Sequence, residues 1–122
     1  MQHLILTAWL LAIVVNAVPA SAAEPRYQLD LLELSSVLGS VQYLRNLCGE
    51  PSSQWRDKMT ALIDAENPDP DTRARLVASY NRGYRAYAAS YTVCTPSAVE
   101  SISILMKRGR ALAVQIVARY GN

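Results

Sequence analysis

The chain has 122 residues, of which 51% are hydrophobic and 18% are charged, and its formal net charge is +2. It contains one His, two Cys and no Phe. This length allows one domain at most, and the apolar content excludes an intrinsically disordered chain and a multi-domain enzyme. The absence of an internal period and of several long apolar runs also excludes a repeat solenoid and a multi-pass membrane protein.

The N-terminal part of the chain has the pattern of a secretory leader. Residues 1–22 contain no Asp, Glu, Lys or Arg, and most of residues 4–18 are apolar. Pro19 breaks the apolar run, and the small side chains of Ala20 and Ala22 then form a signal-peptidase motif. We therefore predict a Sec-type signal peptide that is cleaved after Ala22. An uncleaved anchor is the alternative, but the run is short for a span of about 20 residues.

Cleavage would leave residues 23–122 as a single periplasmic domain without histidine, because His3 lies in the leader. The absence of histidine removes Ser-His and Cys-His nucleophile pairs and His-based zinc sites. In an oxidising compartment Cys48 and Cys94 are expected to form a disulfide. No phosphate loop and no nucleophile elbow occurs, so we expect no enzyme, no catalytic residue, no metal and no cofactor.

Apolar residues recur at helical spacing in four segments, and no window alternates as a strand does. The first predicted helix runs from about Tyr27 to Cys48. The second begins at a Ser52 or Ser53 cap and ends before Asn67. The apolar stripes of these two helices consist of Leu31, Leu34, Val37, Leu38, Val41, Leu44 and Cys48, and of Trp55, Met59, Leu62 and Ile63.

The third and fourth predicted helices both begin with a cap followed by a proline, which needs no N–H donor at the first helical position. These pairs are Asp69 with Pro70, and Thr95 with Pro96. The predicted inward residues of the third helix are Leu76, Tyr80, Gly83, Tyr84, Tyr87 and Tyr91. Those of the fourth are Val99, Ile102, Leu105, Met106, Gly109, Leu112, Ala113, Ile116, Val117 and Tyr120.

Short connections make successive helices antiparallel, so the sequence predicts an all-α, up-down four-helix bundle. In this topology the first and third helices end at the same end of the bundle. Cys48 and Cys94 can meet there, and a disulfide between them would link the ends of these two helices.

Several strings of the mature chain together resemble a family of small exported alphaproteobacterial proteins, catalogued as a conserved domain of unknown function. These strings are Leu38–Cys48, Trp55-Arg56 with Met59 and Leu62-Ile63, Arg75-Leu76 with Tyr80–Arg85, and Tyr91 with Cys94-Thr95 and Ala98. The resemblance covers nearly the whole mature chain. It implies an envelope location and a helical domain with paired cysteines, and it implies no activity.

The third helix carries a candidate aromatic site on one face and candidate anion ligands on the other. Tyr80, Tyr84, Tyr87 and Tyr91 form either an aromatic groove for a sugar or peptide, or a core that uses Tyr where other proteins use Phe. The opposite face carries Arg75, Arg82 and Arg85, aligned with Ser79 and Ala89.

A second basic cluster, on the fourth helix, consists of Lys107, Arg108 and Arg110. Guanidinium rows bind phosphates and carboxylates, so an anionic polymer, a lipid head group or an acidic partner is a candidate ligand of either cluster. A solvated face paired with Asp and Glu is the simpler reading. Nucleic acid is not expected as a partner.

Helix one has a second apolar face, which consists of Leu29, Leu32, Tyr43 and Leu47 near the small residues Ser36, Gly39 and Ser40. Either this helix is central in the fold, or this face is a seam for a partner or a second copy. Four acidic residues lie around the connection between the second and third predicted helices: Asp64, Glu66, Asp69 and Asp71. Their spacing is not that of an EF-hand loop, so helix capping explains these residues better than calcium binding does.

These observations favour an exported accessory or interaction protein of the cell envelope, with a protein partner and no transmembrane domain after cleavage. A homodimer is compatible with the second apolar face. The alternatives are a small inhibitor or immunity-type protein that acts on an envelope enzyme, and a module that binds a small ligand or an anion.

Overall fold

The computed structural model describes residues 20–120 of the chain. It contains four α-helices: α1 (Ala20–Leu47), α2 (Gln54–Glu66), α3 (Pro70–Ser90) and α4 (Pro96–Tyr120). Residues 20–120 contain no strand, which confirms the all-α prediction. Residues 1–19 of the predicted signal peptide lie outside the described residues, and its predicted cleavage site lies in the first turn of α1.

Helix α1 begins at Ala20 rather than near Tyr27. Ala20, Ala22 and Ala23 are strong helix formers, and Pro25 lies inside the helix instead of ending it. At the other end Cys48 donates its N–H to the carbonyl of Leu44, as the helical pattern requires. The helix is therefore longer than the apolar stripe from which it was predicted.

The start of α2 is capped by a residue that is distant in the sequence. Ser53 occupies the predicted cap position, but its hydroxyl donates to Asp57 at 3.0 Å instead of accepting a backbone N–H. The side chain of Gln42 in α1 accepts from the Arg56 N–H at 3.0 Å and donates to the Ser52 carbonyl at 2.7 Å. Gln42 is buried, so the oxygen and the nitrogen of its side-chain amide would otherwise have no hydrogen-bond partner.

The predicted starts of α3 and α4 are confirmed. Asp69 accepts from the Thr72 N–H at 2.7 Å, and this bond lowers the pKa of its carboxyl group. The Thr95 hydroxyl accepts from the Ala98 N–H at 3.1 Å. Pro70 and Pro96 are the first helical residues in the two helices.

Long-range contacts show that successive helices alternate in direction. The hydroxyl of Tyr27, near the start of α1, donates to Glu66 at the end of α2. Ala98, near the start of α4, packs against Leu44 near the end of α1. Further along α4, Arg108 contacts Glu33, which lies earlier in α1, so these two helices are antiparallel. The ends of α1 and α3 meet in the Cys48–Cys94 disulfide, whose S–S distance is 2.08 Å. The predicted disulfide is confirmed.

Helix α1 is the centre of the fold. Its backbone approaches those of α2, α3 and α4, whereas within residues 20–120 no Cα atom of α4 lies within 8 Å of one in α2 or α3. Three adjoining clusters of buried side chains follow α1, and each contains at least one of its residues: Leu31 and Leu38, then Val37 and Val41, then Leu44. The helix therefore has two buried sides, as one of the two sequence hypotheses proposed.

The contact between α1 and α3 is made at backbone distance. A Cβ atom on Gly39 would lie 1.9 Å from the Tyr80 carbonyl oxygen, and one on Gly83 would lie 2.1 Å from the Ser36 carbonyl oxygen. Ser79, which was expected on the outer Arg face of α3, is buried and donates to the Leu32 carbonyl at 2.6 Å. Its small side chain allows the close approach of the two helices, so that part of the predicted alignment is wrong.

Helix α4 buries a narrower strip than the sequence predicted. Leu112 is fully buried and Ile102 is buried, but Val99 and Val117 are 53% and 69% exposed, and Ala113 is also exposed. The prediction that these three residues point into the core is wrong. Because α1 is the only helix whose backbone comes close to that of α4 within residues 20–120, one strip of α4 is covered and the flanking positions lie open.

Candidate functional site

A groove lies between α2 and α4, and α1 forms its base. Four apolar residues of α1 form the floor: Leu34, Val37, Leu38 and Val41. The helical spacing of these residues places all four on one side of α1. The walls do not close over this floor, and no Cα atom of α2 lies within 8 Å of one in α4.

The α2 wall is made by Trp55 and Lys58, and the α4 wall by five residues: Leu105, Met106, Gly109, Arg110 and Ala113. The groove has a volume of about 330 Å³. Two of the α4 residues, Gly109 and Ala113, have little or no side chain. The volume of the groove is at the lower end of the range for small-molecule sites, which are about 300–1,000 Å³.

The charged groups that line the groove are both cationic. Within residues 25–119, neither Lys58 nor Arg110 forms an ion pair. The Lys58 ammonium lies 5.8 Å from the ring centroid of Trp55, which places it beside the aromatic wall. No Asp or Glu belongs to the lining. The groove therefore combines an apolar interior with uncompensated positive charge.

The groove was missed by the sequence analysis, although most of its residues were identified. Leu34, Val37, Trp55, Met106 and Ala113 were all predicted to be core, because apolar residues at helical spacing normally meet a partner helix. The sequence signal for the groove is the small size of Gly109 and Ala113, which lie one turn apart, but Gly39 and Gly83 show that small residues also occur where two helices pack closely.

The tyrosine stripe of α3 is packed against α1 and the start of α4. Tyr80 is buried in the cluster that contains Leu31 and Leu76, and burial raises the pKa of its hydroxyl while the Arg56 guanidinium opposes this shift. The Tyr84 ring meets Tyr43 of α1 edge to face at 5.2 Å.

The last two tyrosines of the stripe, Tyr87 and Tyr91, have parallel rings 6.4 Å apart. They pack on the cluster formed by Leu44, Ala98 and Ile102. The Tyr43 hydroxyl donates to the Tyr91 carbonyl, and the Tyr91 hydroxyl is 2.7 Å from that of Ser97. These contacts are those of a packed layer between helices.

The four residues of the second apolar face of α1 differ in their exposure. Leu32 packs against the buried cluster around Leu31, Tyr43 contacts α3, and Leu47 is half-buried. Leu29 is 64% exposed. Most of the candidate seam is therefore used inside the protein, against α3.

The candidate basic residues are dispersed. Arg75 pairs with Asp71 at 2.9 Å across one turn of α3, and Arg82 and Arg85 are exposed. On α4, Lys107 is exposed and Arg108 pairs with Glu33 at 2.6 Å, whereas Arg110 lines the groove. The three basic residues of α4 thus point in different directions and do not form one cluster.

Two of the acidic residues around the connection between α2 and α3 form hydrogen bonds within the fold. Glu66 accepts from the Tyr27 hydroxyl, and Asp69 caps α3. Burial and the neighbouring Glu66 raise the pKa of Tyr27 to about 12. In the part of the chain that the structure describes, no group of three or more His, Cys, Asp or Glu side chains could hold a metal ion.

The fold and the groove define a small disulfide-linked helical domain with an open apolar surface. None of the four described helices combines the length and apolar character that a membrane-spanning segment needs. The chain belongs to the family described as "Protein of unknown function (DUF2385)", whose model matches residues 26–120. Neither a curated protein nor a solved structure matches the chain.

Proposed function

We propose that this protein is exported to the cell envelope and acts there by binding, without catalysing a reaction. The observation that carries the binding role is the apolar groove between α2 and α4, whose lining includes two cations. An apolar concavity of this kind loses contact with water when it is filled, and that loss favours binding.

Export is supported by two features of the chain. The Cys48–Cys94 disulfide suits an oxidising compartment, because cytosolic reductants keep thiols reduced. The uncharged apolar run over residues 4–18 has the composition of a signal peptide. Purified from its own cell, the protein is expected to begin at Ala23 with both cysteines oxidised. A full-length cytosolic chain with free thiols would contradict export.

The absence of catalysis is proposed from the inventory of side chains. After cleavage the chain has no histidine, and the two ionisable groups that line the groove are Lys58 and Arg110. An ammonium and a guanidinium donate hydrogen bonds and accept none, so neither side chain offers the lone pair that a general base uses. The groove is therefore better suited to holding a molecule than to transforming one.

Photo-crosslinking tests the binding role without assuming a ligand. A photoreactive side chain replaces Ala113 in the groove or, as a matched control, Ala111, which is exposed on the same helix outside the lining. In living cells an adduct is expected at position 113 and not at position 111. Equal yields at both positions, or no adduct at position 113, would contradict the proposal.

A further inference from the structure

The composition of the groove defines the chemical class of its ligand. We infer that the groove binds a single-chain amphipathic carboxylate, a fatty acid, with the acyl chain along α1 and the carboxylate between Lys58 and Arg110. This inference rests on the proposed binding role of the groove and adds to it the nature of the ligand.

The apolar lining accounts for the acyl chain. The floor residues Leu34, Val37 and Val41 and the wall residues Trp55 and Met106 offer no hydrogen-bonding side chain other than the indole N–H. A sugar or a peptide backbone would lose its hydrogen bonds to water here without replacement, which is unfavourable. A hydrocarbon chain has no such bonds to lose, and each buried methylene contributes about 0.8 kcal/mol.

The size of the groove suits a small ligand. Its volume of about 330 Å³ lies at the lower end of the range for small-molecule sites, which are about 300–1,000 Å³. One extended acyl chain needs less of this space than a lipid with two chains.

The two cationic side chains of the lining indicate a ligand with a carboxylate group. Lys58 on one wall and Arg110 on the other have no ion pair within residues 25–119, whereas Arg108 on the same helix is paired with Glu33. A carboxylate accepts charge-assisted hydrogen bonds from both an ammonium and a guanidinium. A neutral head group accepts only the weaker hydrogen bonds of an uncharged oxygen from these two side chains, and a cationic head group is repelled by them.

Calorimetric titration of the purified protein with decanoate, decanol and decyltrimethylammonium tests the inference, because these probes share a chain length and differ in head-group charge. Decanoate is expected to bind tightest. Changing Lys58 and Arg110 together to Met should weaken decanoate about tenfold and decanol less than about threefold. Lys107→Met is the control, because Lys107 is an exposed cation of α4 outside the lining.

A groove-filling variant shows where the probe binds. Ala113→Phe should abolish decanoate binding, and Ala111→Phe should leave it unchanged. Equal affinity for decyltrimethylammonium and decanoate, or binding that survives Ala113→Phe, would overturn the inference.

The two proposals can fail separately. If decanoate does not bind and position 113 still crosslinks to a protein in cells, the ligand class is wrong and the binding role stands. If position 113 yields no adduct and decanoate does not bind, both proposals are wrong.

Discussion

The two sides of α1 are packed by different means. On the α3 side, Gly39 and Gly83 remove the Cβ atoms that would separate the helices, and the Ser79 hydroxyl bonds directly to the α1 backbone. On the other side, Gly109 also lacks a Cβ, but it lies against the Val37 side chain and lines an open groove. The same residue type thus brings two backbones together in one place and meets only a side chain in the other.

The reason for this difference is the number of neighbours around each glycine. Gly39 and Gly83 are buried and face the backbone of a partner helix at the point of closest approach. Gly109 faces the Val37 side chain rather than a backbone, in a groove whose opposite wall is made by Trp55 and Lys58 of α2. A glycine therefore indicates a tight interface only when another backbone lies opposite.

The largest expected effect is that of the disulfide, which closes the α1–α3 side at its end. Changing both Cys48 and Cys94 to Ser should lower the free energy of unfolding by about 4 kcal/mol, because the bond closes a loop with a sequence separation of 46. Denaturant unfolding measures this loss. An unchanged midpoint would show that packing alone holds the two helix ends together.

The three glycines test the comparison directly. Gly39→Ala and Gly83→Ala should each destabilise by about 3 kcal/mol, because the new methyl group meets a backbone carbonyl that cannot move alone. Gly109→Ala should change stability by less than about 1 kcal/mol. Its Cβ would lie 3.3 Å from a Val37 methyl group, and alanine is the better helix former. Similar losses at all three positions would remove the distinction between the two sides.

Alkaline pH tests the attachment of the α2 wall to α1. The pKa of Tyr27 is about 12 in the folded protein and its ordinary value is 10.0, so the unfolded chain loses this proton first. Stability is therefore full below pH 10 and should fall by about 2 kcal/mol as the pH rises from 10 to 12. Unfolding at a series of pH values measures the slope, which Tyr27→Phe should reduce. An identical slope in that variant would show that Tyr27 is not responsible.

The smallest expected effect is on the open side. Ala113→Phe should change the free energy of unfolding by less than about 0.5 kcal/mol, since the position is exposed. The adjacent Leu112 is fully buried, and Leu112→Ala should cost about 3 kcal/mol. Thermal unfolding of the two variants compares neighbouring positions inside and outside the core. A large loss for Ala113→Phe would mean that the groove is closed in solution.

The start of α2 illustrates the limit of local sequence signals. A serine before an amphipathic segment correctly indicated where the helix begins, but the capping hydrogen bond comes from Gln42. Nothing in the local sequence distinguishes this buried glutamine from one on a solvated helix surface. By contrast, Asp69 and Thr95 cap their helices as predicted, because each is three residues from the N–H it accepts.

The amino-acid sequence by itself determined the four helices, the starts of α3 and α4 and the pairing of Cys48 with Cys94, since periodicity, caps and the count of cysteines express these features. Only the tertiary structure decided which apolar faces are covered. Periodicity shows that Val37 and Ala113 lie on apolar stripes, but it does not show how far apart the neighbouring helices stand. The groove exists because α2 and α4 both pack on α1 while their backbones stay apart, and that is a property of the assembled helices.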